Sequence, residues 1–131
     1  VIILNDKIIA KGYNQCELLN DPTAHAEMIA ITSAASYLKD WRLNECSIVV
    51  TKEPCAMCAG AIINSRMKMV LFGAYDEQYG CCGSSYNLCY NPKSGINTII
   101  RGGILMEDCK ALILDFFNKK RKLPGIKRTN G

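Results

Sequence analysis

The hydrophobic positions of the chain fall into short apolar runs and longer stretches with helical spacing. Two apolar runs, 1–4 and 7–13, flank an Asn-Asp pair, which is typical of a β-hairpin. Two later segments, 46–51 and 67–72, have unbroken apolar centres. Strands without polar alternation are usually covered on both faces. The pattern therefore predicts an opening hairpin and two buried strands.

Three segments show the spacing of helices. Asp21 and the Pro-Thr pair after it are typical of a helix start, which predicts a helix over about 24–38. Pro54 opens a second predicted helix that ends near residue 64. A last helix is predicted over 105–120 from the spacing of four apolar residues, Leu105, Cys109, Leu112 and Phe116.

With a short strand at 97–101, the predicted order is β-β-α-β-α-β-loop-β-α. Alternating strands and helices favour the α/β class, with a helix-covered sheet that contains parallel pairs. The Gly-rich segment 75–95 is longer than a compact domain needs, and such loops are often functional. Because no internal repeat or linker is present, we expect a single domain over 1–131.

The composition indicates the environment in which the protein works. No apolar run approaches the roughly 18 residues of a membrane span, so we expect no membrane association. The eight cysteines lie mostly in apolar segments, which indicates reduced thiols and a cytoplasmic location. The chain begins at Val1 with a pattern typical of the middle of a strand, so we expect further residues before it.

The net charge of +4 is unevenly distributed. Residues 119–131 hold six basic residues and no acidic one (+6), which leaves ten basic and twelve acidic residues (−2) in 1–118. A basic C-terminal tail beside a nearly neutral body is suited to phosphate contacts. A solvated tail that keeps the protein soluble is the plainer alternative.

One histidine and one Cys-x-x-Cys pair form a candidate metal site. His25 is the single histidine, and Cys55 and Cys58 share one face of a predicted helix. A helix N-terminus favours the thiolate form that metals bind. Three protein ligands with an open fourth position are typical of catalytic zinc. The alternatives are a redox-active cysteine pair, a coincidental spacing in a chain with eight cysteines, or a structural zinc site completed by Cys81 or Cys82.

Glu27 lies two residues beyond His25, close to the candidate metal but not required as a ligand. A carboxylate in this position can move protons between a zinc-activated water and a substrate, which suits hydrolytic deamination. His-x-Glu followed by Pro-Cys-x-x-Cys is the motif of zinc nucleobase deaminases. The alternative is a glutamate placed in a first helical turn by the helix dipole alone.

These motifs resemble those of the cytidine-deaminase-like superfamily. Within it, the chain is most similar to the bacterial tRNA-specific adenosine deaminases, over about residues 12–121. Seven segments carry the resemblance: 21–27, 53–61, 64–66, 72–76, 83–84, 103–105 and 115–117.

The resemblance implies a three-layer α/β/α fold with a five-stranded mixed sheet. The family has a helix before the first strand, which we expect among residues that precede Val1. It also implies Zn²⁺ as cofactor, with Glu27 as proton shuttle and His25, Cys55 and Cys58 as ligands. Asn14 matches a family residue that contacts the target base, and Asp76 matches one beside the bound RNA.

The implied activity converts the wobble adenosine of a tRNA anticodon stem-loop to inosine, in a homodimer. Two alternatives stay open: a deaminase of cytosine, guanine or a pyrimidine nucleotide intermediate, and a non-catalytic RNA-binding subunit with structural zinc. The 72–76 segment and the basic tail favour the RNA enzyme over the first. Glu27 argues against the second, since an inert subunit needs no proton shuttle. Cys81 and Cys82 depart from the small apolar residues expected there.

Overall fold

Seven strands and four helices form the part of the chain that the computed structural model describes, residues 1–91 and 93–121. The strands are β1 (Ile2–Leu4), β2 (Lys7–Ala10), β3 (Ser47–Lys52), β4 (Met69–Ala74), β5 (Tyr90–Asn91), β6 (Ile96–Asn97) and β7 (Ile99–Arg101). The helices are α1 (Cys16–Leu19), α2 (Ala26–Leu38), α3 (Ala56–Asn64) and α4 (Met106–Arg121).

Five strands build one mixed sheet in the order β2-β1-β3-β4-β7. β1 pairs antiparallel with both β2 and β3, whereas β3, β4 and β7 run parallel. The five-stranded mixed sheet expected from the resemblance is confirmed. Since ligand sites of such sheets lie beyond the carboxyl ends of parallel strands, the segments that follow β3 and β4 are placed for function.

The opening hairpin is confirmed. Asn5 and Asp6 have φ values of 50° and 62°, the left-handed conformation that a two-residue type I′ turn requires. β2 ends at Ala10 rather than near residue 13, because the chain then turns towards the start of α2.

Helices cover both faces of the sheet, and the side chains of β4 show this directly. Val70 and Phe72 share one buried cluster with Ala59 and Ile62 of α3. Gly73 points to the opposite face, where an added Cβ would overlap the side chain of Cys109 in α4. Because neighbouring strand residues face opposite sides, α2 and α3 form one outer layer and α4 the other in a three-layer α/β/α fold.

The last helix is confirmed, but the four apolar residues that predicted it do not form its buried face. Leu112 and Phe116 are exposed, and Leu105 precedes the helix. Cys109 alone of the predicted stripe lies in the half-buried set, which is Met106, Cys109, Ile113 and Phe117. α4 has two overlapping apolar stripes. The stripe that packs against the sheet is the one in which the small Cys109 side chain fits over Gly73.

Other elements differ from the prediction mainly at their ends. The short helix α1 was not predicted; Asn14 Oδ1 accepts a hydrogen bond from Cys16 N at its start, and Asn20 ends it in the left-handed conformation. The 75–95 segment is largely irregular, as predicted, but contains β5, which pairs with β6. Most of the basic tail, 122–131, lies outside the described residues. Among residues 1–91 and 93–121, no helix is long and apolar enough to cross a membrane.

Gly12 allows the chain after β2 to pass close to α2. A Cβ at Gly12 would overlap the Ala26 carbonyl oxygen, whereas one at Gly60, within α3, would meet nothing within 4 Å. We therefore expect Gly12→Ala to lower the free energy of unfolding by about 1–3 kcal/mol. Gly60→Ala, the matched control, should raise it by up to about 1 kcal/mol. Urea unfolding measures both, and equal stability of the two variants would contradict the close approach.

Candidate metal centre

Two of the three candidate ligands lie immediately before a helix. His25 precedes α2 in an extended conformation, and its carbonyl accepts the first helical hydrogen bond from Ile29 N at 3.1 Å. Cys55 precedes α3 in the same way and accepts from Ala59 N at 2.8 Å. Cys58 lies in the first turn of α3. Each ligand is therefore close to the positive end of a helix dipole.

The predicted start of α2 near residue 24 is wrong by two residues. The side chain of Asp21 does not cap this helix; its Oδ1 accepts hydrogen bonds from Thr23 N at 2.8 Å and Thr23 Oγ1 at 2.7 Å. These bonds close a separate turn, so α2 begins only at Ala26. His25 is thereby at the capping position rather than inside the first turn.

The three ligand atoms converge. His25 Nδ1 lies 3.6 Å from Cys55 Sγ and 3.4 Å from Cys58 Sγ, and the three atoms lie within 4.8 Å of one another. Tetrahedral zinc with ordinary Zn–N and Zn–S bonds separates a nitrogen and a sulfur ligand by about 3.6 Å. The donor set of one imidazole and two thiolates is also one that zinc prefers. The residues present fit zinc on both grounds.

Cys81 and Cys82 do not join this cluster. Cys81 Sγ lies 3.5 Å from the Tyr79 carbonyl oxygen, and Cys82 Sγ lies 3.8 Å from Cys89 Sγ. Over residues 1–91 and 93–121, the His25 group is the one cluster of three or more metal-ligating side chains. The arrangement of three ligands therefore favours a centre with a fourth position left to water or substrate over a closed structural site.

The two thiols differ in proton affinity. A hydrogen bond from the Cys58 thiol, backbone N–H groups of Cys58 and Met57, and the nearby His25 lower the pKa of Cys55 to about 5. The pKa of Cys58 is raised, first by that same hydrogen bond, then by burial and by the charge of Glu27. Both shifts run in the direction that favours the thiolate form at Cys55 over that at Cys58.

Glu27 lies in the first turn of α2, with 8% of its surface exposed. Its carboxylate is close enough to the Cys58 thiol to raise the pKa of that thiol through both charge and hydrogen bonding. Glu27 is therefore buried beside the candidate ligands but outside the cluster of three.

Asn14 belongs to a segment that is held against the start of α2. Gln15 N donates to the Ala24 carbonyl at 2.9 Å, next to His25. Asn14 Oδ1 accepts from Cys16 N at 3.0 Å, which fixes the orientation of the side chain. The half-buried Asn14 is therefore held on a segment that passes beside His25.

Asp76 organises the loop after β4, which we define as the 76–84 loop. Its Oδ1 accepts hydrogen bonds from Gln78 N at 3.1 Å and Tyr79 N at 3.0 Å, and its Oδ2 lies 3.2 Å from Lys52 Nζ. Burial raises the pKa of Asp76, but the hydrogen bond from Tyr79 and the ion pair with Lys52 outweigh it, so the pKa lies below its ordinary value.

Glu53 was given no role by the sequence analysis, although it lies in one of the segments that carry the resemblance. It follows β3, is 3% exposed, and accepts four hydrogen bonds from the 76–84 loop. The one signal in the sequence was a charged residue directly after a buried strand, two positions before Cys55.

Comparisons with known proteins agree with this geometry. The MafB19-like deaminase family matches residues 1–121. The chain is 38% identical over 130 residues to a tRNA-specific adenosine deaminase of Bacillus subtilis, covering 99% of this chain and 81% of the relative. It is 39% identical over 121 residues to the tRNA-specific adenosine deaminase of Haemophilus influenzae, covering 92% of this chain and 70% of the relative.

Solved structures give the same picture. One, from a study of A-to-I editing by tRNA:A34 deaminases at the wobble position, superposes with a TM-score of 0.81 at 32% identity, covering 86% of this chain and 81% of the other. A guanine deaminase from Bacillus subtilis superposes with a TM-score of 0.57 at 30% identity, covering 99% and 65%. With the His-Cys-Cys cluster and the matched fold, the chain belongs to the deaminase family that includes the bacterial tRNA-specific adenosine deaminases.

Proposed function

We propose that this protein is a zinc-dependent deaminase that converts the wobble adenosine of a tRNA anticodon loop to inosine. The observation that carries the proposal is the buried Glu27 carboxylate beside the converging Nδ1 and Sγ atoms of His25, Cys55 and Cys58. The reaction consumes adenosine and water and yields inosine and ammonia. Deamination requires an activated water and a group that moves protons, and the site offers residues for both.

His25, Cys55 and Cys58 would hold the zinc. Bound zinc supplies Lewis acidity, which lowers the pKa of water towards neutrality. Glu27 accepts the proton that water loses as it adds to C6 of the adenine ring. The same carboxylate delivers this proton to the ring nitrogen N1. In a later step it takes a second proton, from the hydroxyl group now on C6, and delivers it to the departing amine, so that the C6–N bond breaks and ammonia leaves. The burial of Glu27 keeps these transfers away from bulk solvent.

The other two candidate residues act around the base. We assign Asn14 to contact with the target base, since its segment is held next to His25 by the hydrogen bond between Gln15 and Ala24. We place Asp76 beside the RNA. Its carboxylate is occupied by loop amides and Lys52, so its contribution is the shape of the 76–84 loop.

Exposed tyrosines in the segment that follows β4 support an RNA substrate over a free base. Tyr75, Tyr79, Tyr86 and Tyr90 are all exposed along the segment that follows β4. Proteins that recognise single-stranded RNA loops stack the splayed bases on such aromatic rings. The basic residues of the 119–131 tail supply charge for phosphate contacts.

We also propose that the protein works as a homodimer in the bacterial cytoplasm. The exposed apolar side chains of Leu112 and Phe116, four residues apart on α4, supply surface for a second copy. All eight cysteines are free thiols, which suits a reducing compartment. Sedimentation of the zinc-loaded protein should give twice the mass of one chain at micromolar concentration. A monomer at every concentration would refute the dimer.

The substrate is tested with an anticodon stem-loop that carries adenosine at the wobble position. We expect the zinc-loaded protein to convert this adenosine to inosine, detected by mass spectrometry of the digested RNA. Stem-loops with adenosine at another loop position, and free guanine and cytosine, serve as controls. Turnover of a free base without RNA editing would move the protein to the small-molecule deaminases, for which the guanine deaminase likeness is the specific precedent.

Glu27→Gln tests the proton shuttle, because it removes the titratable group and leaves all three ligands in place. We expect one zinc per chain, as in the unmodified protein, and a fall in kcat of at least about 100-fold. Zinc content is measured by atomic emission and kcat by single-turnover inosine formation. Full activity of this variant would refute the assigned role, and loss of zinc would show that Glu27 serves the metal site instead.

A further inference from the structure

The carboxylate of Glu53 is buried, and it is held by hydrogen bonds alone among the residues that the structure describes. In the described ranges 1–91 and 93–121, no lysine, arginine or histidine forms a salt bridge with it. Lys52, its neighbour in sequence, pairs with Asp76 instead. Removing an anion from water is unfavourable unless hydrogen bonds replace the lost hydration. The partners of Glu53 therefore explain why a charged residue is tolerated at this position.

All four hydrogen-bond donors to Glu53 come from the 76–84 loop. Oε1 accepts from Asp76 N at 3.1 Å and from Ser84 Oγ. Oε2 accepts from Cys82 N at 3.1 Å and Ser84 N at 3.0 Å. Hydrogen bonds to an ionised acceptor are shorter and about twice as strong as neutral ones. One side chain thus fixes both ends of the loop.

The rest of the loop is shaped around the same carboxylate. Gly80 N donates to the Asp76 carbonyl at 2.8 Å, and Cys81 N donates to the Pro54 carbonyl at 2.8 Å. A Cβ at Gly80 would overlap the carboxyl group of Glu53. The loop is therefore packed directly against the residues that lead into Cys55, with the exposed ring of Tyr79 on its outside.

The four donors of the 76–84 loop require a side chain with two acceptor oxygens, which is a carboxylate. Glutamine has the same shape but one acceptor oxygen and an NH₂ group, which would face two of the four donors. An apolar side chain would leave three backbone N–H groups without their acceptor, each at a cost in free energy. Glu53 is thus suited to holding these particular loop amides, and no shorter or neutral residue can replace it.

We infer that Glu53 is a positioning residue, which fixes the 76–84 loop beside the metal centre so that Tyr79 meets the RNA substrate. The RNA part of this inference rests on the proposed function. Glu53 acts through the loop and contacts neither substrate nor metal. Its loss therefore affects RNA affinity more than the chemical step.

The test compares Glu53→Gln with Asp40→Asn, a control that alters an exposed carboxylate hydrogen-bonded to Arg42 at the far end of α2. Zinc content, hydrogen exchange of the Asp76, Cys82 and Ser84 amides, and single-turnover editing are measured on each. Stem-loop affinity is measured with Glu27→Gln added to each variant, so that binding is separated from turnover.

For Glu53→Gln we expect a full complement of zinc and faster exchange of the three amides. We expect a Kd raised by about tenfold, the effect of losing one stacked base, and a kcat at saturating RNA within about threefold of normal. Asp40→Asn should change none of these. Tyr79→Ala should raise the Kd by a similar factor and leave the amide exchange unaltered.

Three results would overturn the inference: unchanged amide exchange, an unchanged Kd, or loss of zinc, which would make Glu53 part of the metal site. If Glu53→Gln does not fold, Ser84→Ala removes one donor of the four and should give smaller changes in the same directions. Failure of the proposed function is seen separately, because the unmodified protein would then produce no inosine, while the amide exchange and zinc content still decide whether Glu53 anchors the loop.

Discussion

α2 and α3 pack against each other with His25 and Cys55, the residues that precede them, close together at one end of the pair. Thirty residues separate these two side chains in sequence. Their approach depends on the hairpin, on β3 and on the close passage of Gly12 beside Ala26, since each of these places one of the two helices. The site exists only where all of these elements are assembled.

This dependence explains which features were predictable. The metal ligands lie in two short motifs, each at a predicted helix start, and the buried strands show unbroken apolar runs. The face of α4 was not predictable, because Leu112 and Phe116 belong to a stripe as apolar as the one that packs. The space over Gly73, which selects Cys109, is a property of the assembled sheet.

Glu53 shows a second reason why part of the site could not be predicted from the sequence. Its partners are backbone amides 23 to 31 residues away, together with one serine hydroxyl. Because almost every residue has a backbone amide, the residue types do not reveal which amides converge on the Glu53 carboxylate. Asp21 is a local example. Its side chain is of the type that caps a helix, but its Oδ1 instead accepts hydrogen bonds from the amide and the hydroxyl of Thr23.

The wide spacing of His25 from the cysteine pair also links metal binding to folding. An unfolded chain presents Cys55 and Cys58 near each other but has to close a loop of about thirty residues to add the imidazole, at an entropic cost. A metal held by all three ligands binds the native state more tightly than the unfolded state, and it stabilises the fold in proportion to the logarithm of its free concentration. If zinc is that metal, the melting temperature of this protein would rise with zinc supply, and a cell short of the metal would hold less folded protein as well as less active protein.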